Sequence, residues 1–276
     1  MKRLYPEELA DRTWDNVGLL LDNTATADQQ PKVLVTNDLT YQVADDAIKN
    51  HVSVIVSYHP FIFSGLKSIT NNDPQQATLL RLAKANIAVY CPHTAVDAAP
   101  FGLNDWLAGI VSGPHISARS VAIPCSTAPE SHSPAGYGVI GKFDKPVRLD
   151  DIFLRLATEL SDIKHLMVAS PVGSDFRENS VMSFGVCAGS GYDVLKNADV
   201  DLLVTGETSH HSALRVIQQG KWLVQVFHSN SERGYLKNIL QPKLEMLLKA
   251  VVPEAEVLLS TYDKDPFQIY SVDDLK

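Results

Sequence analysis

Lys221-Trp-Leu-Val-Gln-Val-Phe-His-Ser-Asn-Ser-Glu-Arg-Gly-Tyr-Leu236 is the stretch on which the chain turns. Trp222 to Phe227 is apolar except for Gln225, a short run that reads as a strand buried on both faces. His-Ser-Asn-Ser is a polar turn, and a helix follows. A strand running straight into a helix is the repeating unit of an α/β fold. His228 ends the strand and Glu232 follows four positions later, so one turn can deliver an imidazole and a carboxylate to one point. Two earlier stretches end alike: Val52-Ser-Val-Ile-Val-Ser-Tyr-His-Pro60 and Ile87-Ala-Val-Tyr-Cys-Pro-His-Thr-Ala-Val-Asp97.

The same rhythm runs outward from these ends. Pro6-Glu-Glu-Leu-Ala-Asp11 suits a short helical start, with proline at a first helical position. Trp14-Asp-Asn-Val-Gly-Leu-Leu-Leu21 is turn chemistry leading into a strand, and residues 23–31 read as a loop. Val33–Thr36, Val52–Val56 and Ile87–Tyr90 are strands. Helices are expected over 40–50 with Thr40 as cap, from Asp73, and over 104–111. Residues 112–135 are rich in Ser, Pro, Ala and Thr and lose periodicity, which marks a long connection or boundary. Beyond it, strands are expected at 137–143, 166–169, 183–187, 202–204, 223–227 and 256–260. Helices are expected at 149–160, 209–219 and 231–250. The reading is an α/β protein of two similar lobes, 1–125 and 126–276, with mostly parallel sheets and the site between them. No sequence-level repeat relates the two halves.

The 276 residues suffice for a large core, and the net charge of −8 repels nucleic acid and anionic membranes alike. Direct nucleic-acid binding is therefore not expected. Three widely spaced cysteines without a C-x-x-C pair give no disulfide framework. There is no apolar run of membrane-spanning length and no signal-peptide core at the start. The expected compartment is the cytosol, with the nucleus open.

In open α/β sheets the working residues gather beyond the carboxyl ends of strands. Here these are Asp38, His59, His93 with Asp97, Glu207, and His228 with Glu232. Imidazoles and carboxylates without thiolates suit Zn²⁺, Mn²⁺, Fe²⁺ or Ni²⁺. Carboxylates can also bridge two ions about 3.5–4 Å apart. Each residue has a plainer reading. A lone histidine at a strand end is more often structural than ligating. Ser229-Asn-Ser-Glu232 fits the S-x-x-E capping box, which would turn Glu232 back onto the backbone. Asp97 can cap or turn the chain before Gly102. Cys187-Ala-Gly-Ser-Gly191 can hold an anion on its amides, or can serve only tight packing.

Six blocks in order, namely Trp14-Asp-Asn-Val-Gly-Leu19, Ser57-Tyr-His-Pro-Phe-Ile-Phe63, Cys91-Pro-His-Thr-Ala-Val-Asp-Ala98, Gly102-Leu-Asn-Asp-Trp-Leu107, Thr205-Gly-Glu-Thr-Ser-His-His211 and His228-Ser-Asn-Ser-Glu-Arg-Gly234, resemble the Nif-three family (NGG-one-interacting factor three-like, also called GTP cyclohydrolase I type 2-like). The eukaryotic, fungal branch fits best. The resemblance implies an α/β fold with a dinuclear divalent-metal centre and a homohexamer built from dimers. It implies His59, Asp97, His228 and Glu232 as metal ligands. Tyr58 stands where the family's His-His-Pro block has its first histidine, a weaker donor that leaves one metal position less well held. His93 is a further candidate, as a ligand or as a group orienting Asp97. Glu207 and His210 are implied as catalytic groups for water activation or substrate contact. Relatives usually carry a further helical stretch before the block that begins at Leu4, so the start of this chain is expected to be short by comparison.

Two functions follow from this reading. One is a metal-dependent hydrolase of cyclohydrolase, phosphoesterase or amidohydrolase type. The other is an interaction or metal-handling protein, linked through the family name to a transcriptional adaptor.

Overall fold

The computed structural model describes residues 1–23, 31–160 and 163–275. The loop expected at 23–31 therefore lies almost wholly outside the described residues. The strands are β1 (Gly18–Leu21), β2 (Lys32–Thr36), β3 (Val54–Ser57), β4 (Ala88–Cys91), β5 (Ile116–Pro124), β6 (Gly136–Arg148), β7 (Met167–Ala169), β8 (Ser180–Cys187), β9 (Leu202–Thr205), β10 (Trp222–Gln225) and β11 (Glu256–Leu259). The helices are α1 (Tyr41–Lys49), α2 (Pro74–Lys84), α3 (Thr94–Ala98), α4 (Leu103–Ser112), α5 (Leu149–Glu159), α6 (Tyr192–Leu195), α7 (His210–Gln218), α8 (Asn230–Tyr235) and α9 (Gln241–Lys249). A π-helical stretch, Leu236–Leu240, joins α8 to α9.

Local chemistry sets these elements as expected. Thr40 accepts from the Val43 amide to cap α1, and Asp73 accepts from Gln76 to cap α2. Ser209 caps α7, and Gly220 closes it at φ +73°. The start at Pro6 gives only a single 3-10 turn, Glu7–Leu9.

Two sheets form. The first has the order β1-β4-β3-β2-β11, and the second β5-β6-β8-β9-β10-β7. In the first sheet three of four described pairings are parallel, and only β1–β4 is antiparallel. The second sheet is mixed rather than mostly parallel: β8–β9 and β9–β10 run parallel, while β5–β6, β6–β8 and β10–β7 are antiparallel. The long strand β6 buries alternate positions over part of its length, as a strand with one solvated face does.

The stretch 112–135 is not simply a connection. Nine of its residues form β5, paired along β6 from Ile116↔Phe143 to Pro124↔Gly136. Its side chains are almost all exposed or half-exposed, so this edge strand carries no hydrophobic period to read. Sheet membership also crosses residue 125, since β5 joins the second sheet and β11 returns to the first beside β2.

The parallel trios β2–β3–β4 and β8–β9–β10 are built of short apolar runs, although β8 is continuously buried only over Phe184–Cys187. Each is packed on both faces: Leu34, Ile55 and Val89 lie on one side of the first sheet and Val33, Val35 and Val56 on the other, and Phe184, Val204 and Val224 lie on one side of the second and Leu203 and Leu223 on the other. The chain leaves all six strands at their carboxyl ends toward one place.

Candidate metal centre

Two matching arrangements face each other there. After β2 the chain places Asp38, and after the neighbouring parallel strand β3 it places His59. Asp38 Oδ1 lies 2.9 Å from His59 Nδ1. After β9 comes Glu207, and after β10 comes His228, with Glu207 Oε1 3.0 Å from His228 Nδ1. Phe227 adopts φ +69°, the left-handed turn that directs His228 out of the strand. A carboxylate on Nδ1 fixes each ring with Nε2 directed inward, the arrangement that supports metal-ligating histidines.

The two Nε2 atoms stand 3.3 Å apart. Glu232 closes the group from α8, its Oε2 3.4 Å from His59 Nε2 and its Oε1 3.3 Å from His228 Nε2. Ligand atoms of His59, His228 and Glu232 all lie within 4.8 Å of one another. Glu232 is 2% exposed, and Asn37 donates to its Oε2 at 3.0 Å. The capping-box reading of Ser229-Asn-Ser-Glu232 does not hold. Ser229 makes no side-chain cap, is itself helical at φ −71°, ψ −20°, and donates to Asp265 instead. Glu232 spends its oxygens on imidazoles and Asn37 rather than on the helix amides.

The electrostatics follow from burial and proximity. Burial disfavours a charged His59 ring, but Glu232 and Asp38 outweigh it and hold the imidazole up to about 10. The bond to Glu232 lifts His228 to about 9, against a smaller cost of burial. Burial would raise Glu232, yet the two rings keep its carboxyl far below the usual range. Glu232 and the two rings thus favour each other's charged forms, and a divalent cation can take the place of the protons held between them.

The residues fit one such ion. They supply two nitrogen donors and one carboxylate, with room kept by Gly189. A Cβ there would lie 2.8 Å from Glu232 Oε1 and 3.1 Å from His228 Nε2, and Gly189 sits at φ +59°. The Gly-rich turn serves packing: the Gly189 amide donates to Ser231 Oγ at 2.8 Å and the Ala188 amide to Asn104 Oδ1 at 2.9 Å, which leaves neither for an anion.

The remaining candidates lie around this group. Asp97, carried by α3, stands outside the three-residue cluster and accepts from Tyr58 Oη at 2.5 Å. Burial pushes its carboxyl up to about 6, with His93 and Tyr58 pulling the other way. The Tyr58 hydroxyl is raised well above its ordinary value by burial and by Asp97 and Glu232. His93 turns its Nδ1 to Asp15, 2.7 Å away, and shows no bond to Asp97. His210 is exposed and packs edge-on against His211, 5.4 Å between centroids, and lines neither of the cavities beside His228.

Two partners were not foreseen as site residues. Asn37 was hidden beside Asp38, and Asp15 sat in a block read as turn chemistry. A third is the tail after β11. Asp263 accepts from the Asn37 amide at 2.7 Å and Asp265 from Ser229 Oγ at 2.7 Å, which ties the β2 and β10 ends together. Nothing in the polar tail sequence signals this.

The profile of Duf34/NIF3 (NGG1p interacting factor 3) matches residues 1–266. The chain belongs to the DUF34/NIF3 family. It is 43% identical to Protein NIF3 homolog of Schizosaccharomyces pombe, over 96% of this chain and 94% of that protein. It is 38% identical to NGG1-interacting factor 3 of Saccharomyces cerevisiae, over 97% and 93%. The fold superposes on the Bacillus cereus protein related to NIF3 with a TM-score of 0.78, at 20% identity and covering 98% and 96% of the two chains. Four of the six NIF3 blocks read in the sequence fall at strand ends around the His59, His228 and Glu232 cluster, whereas Trp14–Leu19 leads into β1 and Gly102–Leu107 opens α4. No helix among the described residues of this NIF3 chain is long and apolar enough to cross a membrane.

Proposed function

We propose that this chain is a divalent-metal protein acting as a hydrolase on a small molecule, with His59, His228 and Glu232 holding the ion. The observation that carries this reading is the convergence of those three donors within 4.8 Å, with each imidazole anchored from behind by its own carboxylate. Zn²⁺, Mn²⁺, Fe²⁺ and Ni²⁺ all suit such donors. When bound, the ion supplies Lewis acidity toward a substrate oxygen.

The chain's own groups divide the remaining work. Asp38 and Glu207 orient the rings, and the contact to His228 makes Glu207 a positioning residue rather than the base. Asp97 is the carboxyl left to move a proton. Its Oδ1 is held by Tyr58 and its second oxygen is the acceptor, with affinity near neutrality because of burial. A second ion, as the family resemblance implies, would need Tyr58 as a donor. We therefore assign one firmly held ion per chain.

The Saccharomyces cerevisiae relative is named for interaction with NGG1. A protein partner of that kind, and a homo-oligomer of hexamer type, belong to the same proposal. Light scattering of the purified chain tests the assembly.

Elemental analysis of protein purified without chelator, followed by a screen of phosphoester, nucleotide and amide substrates with Mn²⁺ or Zn²⁺, tests the metal and the reaction. Bound metal and turnover that both vanish in His228→Ala and Glu232→Ala support the hydrolase. Metal without turnover of any class favours the interaction protein. An absence of metal in the wild type overturns the site.

A further inference from the structure

A cavity of about 540 Å³ opens directly over the cluster, with Tyr58, Asp97 and Glu232 among its floor and wall residues. That volume suits a compact small molecule. Its mouth carries Trp14 and Phe63, each 52% exposed, with ring centroids 6.1 Å apart. Large aromatic surfaces left half in water beside a cavity are costly unless a ligand covers them.

Trp14 is also held in place. Its Nε1 donates to Asp11 Oδ2 at 2.9 Å, and its indole meets the His93 ring edge-on at 5.7 Å. His93 is fixed in turn by Asp15. The indole is therefore a rigid platform whose polar atom is already satisfied, and its exposed surface is free for stacking.

Charge decides what can stack there. Among the described residues lining the cavity there is no lysine or arginine. Its lining groups that can carry charge near neutrality are the three histidines His59, His93 and His228 and the carboxylates Asp11, Asp97 and Glu232, while burial keeps Tyr58, Tyr137 and Cys187 in their neutral forms. Behind the cluster stand two more carboxylates, Asp38 and Glu207. The two charges of one divalent ion are thus already outnumbered by Glu232, Asp38 and Glu207. No surplus positive charge remains for a polyphosphate, which binding sites ordinarily meet with Arg or Lys.

We propose that this cavity takes a flat, uncharged heteroaromatic ring, stacked on the Trp14 indole with the Phe63 ring inclined at 52° to that indole closing its side and with its edge toward the metal cluster, and that it discriminates against phosphorylated forms of that ring. This names the substrate class for the hydrolase proposed above and rests on that reading. It departs from the nucleoside triphosphate that the cyclohydrolase label would suggest.

The test is a set of titrations on the full-length, zinc-loaded chain with guanosine, adenosine and pterin, and with guanosine 5′-triphosphate. Trp14 is the most exposed of the three tryptophans, since Trp222 is buried and Trp106 partly so. Stacking on it should quench the intrinsic fluorescence saturably. By calorimetry, Trp14→Ala and Phe63→Ala should each weaken the best of the uncharged rings by about tenfold or more. The triphosphate should bind at least about tenfold more weakly than guanosine. Both residues are half-exposed, so zinc content and circular dichroism should be unchanged in these variants.

A triphosphate that binds as tightly as guanosine overturns the proposal. So does ring binding indifferent to both substitutions, or no binding of any uncharged ring at about 1 mM. The two readings fail separately. Loss of zinc in the wild type sinks the metal site, whereas normal zinc content with any of these three outcomes sinks only the ring-binding site.

Discussion

His59 and His228 face each other through Nε2 at 3.3 Å, and each is braced from behind by a carboxylate just beyond the end of the neighbouring parallel strand, Asp38 after β2 and Glu207 after β9. Neither brace touches the place where a cation would sit. Asp38→Asn and Glu207→Gln should therefore leave the fold intact and weaken zinc by about 10–100-fold. Competition against a chromophoric chelator measures this, and unchanged affinity in both variants would show the braces to be idle.

The charge state of the metal-free cluster sets a pH dependence. With His228 raised to about 9 and His59 to about 10, their contribution to stability is fully present below the ordinary histidine value of about 6.5. It is lost as pH rises through those folded values. Chelator-treated protein should melt at progressively lower temperature between about pH 7 and pH 10, more steeply than the zinc-loaded form. Zinc binding near pH 7 should release about two protons, read from calorimetry in buffers of different ionisation enthalpy. Binding without proton release would mean that the rings are already neutral.

Tyr58 governs how many ions the chain holds. In Tyr58→Phe, Asp97 loses the hydrogen bond that favours its ionised form. Its carboxyl should then rise further above about 6, at a cost of about 1–3 kcal/mol in stability. Zinc content should not change, because Tyr58 is not one of the three donors. Tyr58→His adds a nitrogen beside Asp97 and should raise the stoichiometry from about one ion per chain toward two. Elemental analysis decides, and a stoichiometry fixed at one would remove Tyr58 from the account.

Gly189 keeps the space between Glu232 and His228 open at a backbone angle that L side chains resist. Gly189→Ala should destabilise the fold by about 1–3 kcal/mol. Its methyl, 2.8 Å from Glu232 Oε1, should also reduce zinc binding. Thermal melts and metal titration check both. A variant of wild-type stability and affinity would mean that the turn relaxes freely.

The parts of this architecture written in side-chain period were legible in the sequence. The continuous apolar runs of β2, β3 and β4 and the caps at Thr40 and Asp73 appear where composition puts them. So do the strand-end residues His59, Glu207, His228 and Glu232. What escaped depends on long-range packing or on backbone geometry. Edge strand β5 has little buried face to give it a period. Helix α3 has five residues and follows His93 at φ +32°, so neither a cap nor a periodicity announces it. The S-x-x-E pattern at Ser229 is a sound local signal, defeated because the adjacent His228 and the distant His59 compete for the same carboxylate. Asn37 and Asp15 lay in view as polar residues, but only the tertiary arrangement shows what they hold.

The return of β11 to the side of β2 has a bearing on synthesis. Residues 256–259 pair with residues 32–35, so β2 has β3 on one side but lacks its second neighbour until more than 220 further residues have been made. The same late segment supplies Asp263 to the Asn37 amide and Asp265 to Ser229. A nascent chain therefore exposes one flank of β2, and its metal-binding residues lack these restraints, until residues 256–265 have been made. Contacts this far apart in sequence form slowly, which places competence to hold an ion among the final events of folding.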